Sequence, residues 1–138
     1  MTSEAKVIDA AIKLAVERGG HSGFAGNCAR FAIVLNRALG GGGIYVVADS
    51  GEHYEYVDHV ALRYRGQLYD GTGALTARQL RTWGSKLEDI GGDADADAAL
   101  RLVDEGCLGD FLDEEALERD LREALAACRA RAKGRVRR

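Results

Sequence analysis

The stretch Gly26-Asn27-Cys28-Ala29-Arg30-Phe31-Ala32-Ile33-Val34-Leu35-Asn36-Arg37-Ala38-Leu39 decides how the rest of the chain is read. Positions 28, 31, 32, 35 and 39 are apolar and recur at helical spacing, so they form one buried stripe. Asn27 is a good N-cap residue, and the run from His21-Ser22-Gly23 to Gly26 leads into it. Cys28 therefore stands in the first turn of a helix that enters the core. Unpaired backbone N–H groups and the helix dipole favour a thiolate there, which is how a thiol becomes a nucleophile. The competing reading is a small core residue, because cysteine is among the most buried types.

Downstream, Tyr56 to Tyr64 reads as a strand, with Gln67 to Gly73 as its hairpin partner running into a turn. Alternation puts Val60, Leu62 and Tyr64 on one face and Val57, His59, Ala61 and Arg63 on the other. If the Cys28 helix packs on the second face, small Ala61 admits it and His59 reaches its N-terminal end. A Cys on a helix start, a His on a strand and an Asp on the next strand stand in the order nucleophile, base, orienter. The register is less favourable to Asp70. A tight turn at Gly66-Gln67 pairs Arg63 with Asp70 and leaves Asp70 four positions from His59, about 13 Å at strand rise. A bulge or a longer loop would shorten that gap.

Gly26-Asn27-Cys28, Phe31-Ala32, His59-Val60-Ala61 and Asp70-Gly71-Thr72 together resemble the core pattern of the transglutaminase-like and papain-like cysteine hydrolase superfamily, over residues 20 to 75. The resemblance implies an α+β fold in which a cysteine on a helix N-terminus packs on a small antiparallel sheet. It implies Cys28 as nucleophile, His59 as general base and Asp70 as orienter, acting on an amide, isopeptide or thioester by hydrolysis or acyl transfer. In papain-like sites an upstream polar side chain helps bind the oxyanion, a role that would fall to Asn27, His21 or Ser22. The substrate would be a peptide, isopeptide or other acyl compound, with no cofactor and no resident metal. Two rival readings stand beside this one. One is a non-catalytic interaction module that retains the fold, and the other a metal site built from Cys28, His59 and a carboxylate.

Length and composition agree with one soluble domain over residues 1–138, since 46% of the residues are hydrophobic and 30% charged. No apolar run is long enough for a membrane span, so no membrane partner is expected. Met1-Thr2-Ser3-Glu4 carries an early acid and no basic segment before an apolar block, which argues for the cytoplasm. Cys28, Cys107 and Cys128 are spaced for neither a disulfide framework nor a zinc motif. The oligomeric state is left open.

Around the core of residues 20–75, residues 4 to 18 read as an amphipathic helix stopped by Gly19-Gly20. Gly40 to Gly43 follows a helix and precedes the strand-like Ile44 to Val47, the wrong context for a phosphate loop, and reads as a helix cap and hinge. Residues 76–133 are expected to be a helical extension. A helix over 76–90 follows the N-cap Thr76, with Leu80, Trp83 and Leu87 on its apolar side, and a short helix covers 98–105. A long helix from Asp113 to Lys133 buries Leu117, Leu121, Leu125 and Cys128, opening with acids and closing with bases as the dipole prefers. Arg129 to Arg138 reads as a frayed basic tail. With a chain net charge of −3, nucleic acid is not the expected partner, and this tail is the feature that leaves room for one.

Overall fold

The computed structural model describes residues 1–21, 28–48, 57–82, 86–91 and 113–136. Helix α1 (Ser3–Gly19) begins where Thr2 Oγ1 accepts the Ala5 N–H at 3.1 Å. It ends in a left-handed Gly20, after which the His21 N–H returns to the Val16 carbonyl. Ala5, Ile8, Ala11, Ile12 and Ala15 form its buried stripe. Helix α2 (Cys28–Leu39) starts at the expected cysteine and closes on Asn36, whose carbonyl accepts from Gly40 and Gly41. The Asn36 side-chain amide donates to the Gly42 carbonyl at 3.2 Å, which ties the helix end to the next strand.

The sheet is five-stranded and antiparallel, in the order β4-β3-β2-β1-β5. Its members are β1 (Gly43–Ala48), β2 (Val57–Tyr64), β3 (Gln67–Asp70), β4 (Gly73–Ala74) and β5 (Lys86–Gly91). The short helix α3 (Ala77–Thr82) precedes β5, and the long helix α4 (Glu114–Val136) follows it. The architecture is α+β, with α1, α2 and α4 gathered on one face of a small antiparallel sheet.

That face is set by apolar bulk. Ile44, Leu62 and Tyr69 stand level across β1, β2 and β3 and enter one core with Val60, with Phe31, Ala32 and Leu35 of α2, and with the buried stripes of α1 and α4. The α4 stripe comprises Leu117, Leu121, Ala124, Leu125 and Cys128, as its period predicts. Ala61, Leu68 and Leu75 form a second, smaller cluster with Tyr45 on the opposite face. The Cys28 helix thus packs on the Val60–Leu62 row and not on the Ala61 row that the sequence suggested. Larger apolar side chains return more free energy when buried against a helix than a single alanine does.

Three other expectations change. The 76–90 helix is only α3, with the Thr76–Gln79 capping pair in place, and Leu87 belongs to β5 on the far side of β1. The extension past residue 76 therefore supplies a strand of the main sheet. The tail is not frayed where described, since α4 runs helical to Val136. The hairpin turn is Arg65-Gly66, both at positive φ (49° and 82°), the two-residue type whose twist suits a hairpin. Trp83 and the segments 49–56 and 92–112, with their expected loop and short helix, lie outside the described residues.

Candidate functional site

Cys28 is the first residue of α2, half-buried and packed against the main core. On the sheet, α2 packs chiefly along β2, and three residues link its C-terminus to Gly43, which pairs with Arg63. Its N-terminus is therefore directed to the Val57–His59 end of β2. The lengths agree, because twelve helical residues rise about 16 Å and the step from Arg63 to His59 is about 14 Å.

His59 stands opposite Val47, in the last regular pair before the ladder slips. Ala48 pairs with Val57, so Asp58 is the extra residue of a β-bulge adjoining His59. By strand alternation position 59 belongs to the row of Ala61, opposite the row that α2 covers. Bulges interrupt that alternation and re-aim the neighbouring residues.

Asp70 ends β3. With Leu62 paired to Tyr69, one further step of the same register puts Asp70 level with Ala61. That makes Asp70 the diagonal neighbour of His59, two positions along and in the same row, about 7–8 Å between backbones. The four-position gap expected for a Gly66-Gln67 turn is corrected by the turn at Arg65-Gly66. Asp70 is only 7% exposed. Its Oδ1 accepts from the Thr72 N–H at 2.8 Å and from the Thr72 hydroxyl, which shapes the tight turn into β4. Burial is also what raises the neighbouring phenol of Tyr69 to about 12, with Glu4, Asp9 and Tyr64 adding to the effect.

The three oxyanion candidates divide. Asn27 and Ser22 lie outside the described residues. His21 is nearly buried, and its Nε2 is 2.7 Å from Asp120 Oδ2 on α4. This partner was illegible in the sequence, 99 residues away. The pair fastens the residue after the α1 cap to α4, and a side chain at Gly19 would collide with both members. Thr72 was also missed as the partner of Asp70, although Asp-x-Thr is the spacing of such a turn.

Among the described residues, no three His, Cys, Asp or Glu side chains gather as a metal site. Cys128 is a buried free thiol on α4, and Cys107 lies outside the described residues. Among the described helices none is long and apolar enough to cross a membrane. Compared with protein families, curated proteins and solved structures, the chain finds no match.

Proposed function

We propose that this chain is a cysteine hydrolase or acyltransferase with a papain- or transglutaminase-like core, acting in the cytoplasm on an amide, isopeptide or thioester. Cys28 attacks the carbonyl carbon as the thiolate, and the Cys28 backbone N–H helps hold the oxyanion. His59 protonates the leaving group and then takes the proton of the water or acceptor that releases the acyl-enzyme. Asp70 orients the imidazole. The observation that carries this reading is the hairpin register, which makes Asp70 the same-row neighbour of His59 at the end of β2 toward which Cys28 is directed. The bulge adjoining His59 adds to it.

The test begins with iodoacetamide near pH 7 and mass mapping of the alkylated residue, since the substrate is open. Cys28 is expected to react far faster than Cys128, and His59→Ala to slow that reaction. On whichever acyl substrate turns over, Cys28→Ser abolishes thiol-dependent activity. His59→Ala costs about 10²–10⁴-fold in kcat/KM, Asp70→Asn costs less, and the Cys28→Ser/His59→Ala pair is scarcely worse than either alone. Full activity in Cys28→Ser refutes the assignment.

A second reading, an interaction module that keeps the fold without chemistry, is favoured by the packing of α2 on the Val60–Leu62 row while position 59 belongs to the other. It predicts slow alkylation of Cys28, indifferent to His59→Ala. Asp70 is then only the former of the β3–β4 turn.

A further inference from the structure

The charge on α4 is divided along its length. Its first half mixes signs, and its bases are engaged there, Arg119 with Asp120 and Arg122 with Glu118. After Glu123 the sequence has no acid, and six of the last ten residues, Arg129, Arg131, Lys133, Arg135, Arg137 and Arg138, are basic. Six positive charges in a chain of net −3 leave −9 on the rest. Arg129, Arg131 and Lys133 are exposed and form no ion pair among the described residues. Compensation of the helix dipole needs a base or two in the last turn, not a block of this length.

Helicity to Val136 changes what this block can do. Among the residues whose burial is described, Cys128 is the last buried one on α4, so a helical stem continues for about two turns past the core. On a helical period Arg129 and Lys133 share one flank, and Arg131 lies about 200° round from Arg129. The residues between them, Ala130, Ala132, Gly134 and Val136, are small. A membrane-lying helix needs a bulky apolar face, and a protein interface needs buried anchors, and this stem has neither. A helix about 10–12 Å across, with bases on both flanks and little between, fits the major groove of B-form DNA, where phosphates line both sides. The deep, narrow groove of an RNA duplex does not admit it.

We propose that the α4 stem, residues 129–136 with the two arginines that follow, binds duplex DNA through its phosphates. Contacts to phosphates carry no sequence information, so the binding is indifferent to sequence. It is independent of Cys28.

The test is fluorescence anisotropy of a fluorescein-labelled 20-base-pair DNA with the full chain, between 50 and 300 mM NaCl. Binding is expected to weaken linearly in log–log form, with a slope approaching about −5 if all six charges neutralise phosphates. Replacing Arg129, Arg131 and Lys133 together by Gln should reduce that slope by about 3, with circular dichroism unchanged because all three are exposed. Arg119→Gln with Arg122→Gln, and Cys28→Ser, should leave it alone. No binding at 50 mM salt overturns the proposal, as does an unchanged slope in the triple variant. Equal affinity for an RNA duplex, or tail-dependent binding to phosphatidylserine vesicles in place of DNA, also overturns it.

Discussion

Tyr69 pairs with Leu62 at the centre of the sheet, immediately before Asp70, and is 1% exposed. Burial, then the nearby Glu4, Asp9 and Tyr64, raise its phenol from the ordinary value near 10 to about 12. The neutral phenol is thus favoured in the folded state. Its contribution to stability is fully present below pH 10 and is lost as the pH rises toward 12. A pKa higher by about two in the folded state corresponds to about 2.7 kcal/mol, of which about 1.3 kcal/mol is forfeited between pH 9 and pH 11. Ordinary lysine and tyrosine side chains ionise near this range, so the measurement is a difference. Urea unfolding of the wild type and of Tyr69→Phe at the two pH values subtracts their effects. The stability of the wild type relative to the variant should fall by about 1.3 kcal/mol. Absorbance at 295 nm should show a phenol ionising near pH 12, and that component should vanish in the variant. A difference that stays flat from pH 9 to pH 11 refutes the argument.

Two further perturbations probe the frame around the site. Gly42→Ala puts a side chain at φ +119°, with its Cβ 2.8 Å from the Arg63 carbonyl, and should cost about 2 kcal/mol in urea unfolding. Gly41→Ala meets nothing within 4 Å and should be neutral or slightly stabilising. Leu121→Ala empties a fully buried position between α1 and α4 and should cost about 2–5 kcal/mol, read as a lower urea midpoint at an unchanged slope.

What the sequence announced and what it withheld divide along physical lines. Helices α1, α2 and α4 bury one stripe each and so carry the 3.6-residue period, and the stops of α1 and α2 at glycine were legible. Strand β5 was not. Lys86 to Gly91 is short and polar, its leucine falls in step with Leu80 and Trp83, and only pairing with β1 makes it a strand. The turn was misjudged by one residue because Arg65 adopts a left-handed conformation that its identity does not advertise. That single residue decides whether Asp70 is near His59. The face chosen by α2 was in principle legible, because Val60 and Leu62 outweigh Ala61 in apolar area. Cys28, His59 and Asp70 were picked out by residue type and order, whereas the His21–Asp120 pair spans 99 residues and leaves no local trace.

The union of α1 with α4 has a consequence for synthesis. Ile8 and Ile12 are made more than a hundred residues before the leucines that cover them, Leu117, Leu121 and Leu125. Contacts of such separation are costly to close, and the core cannot be completed until α4 has been made. Until α4 emerges the nascent polypeptide carries an uncovered apolar stripe, which invites chaperone binding and aggregation. Maturation is therefore gated by α4, and the Cys28 helix, which shares that core, is clamped in its final setting only when α4 docks.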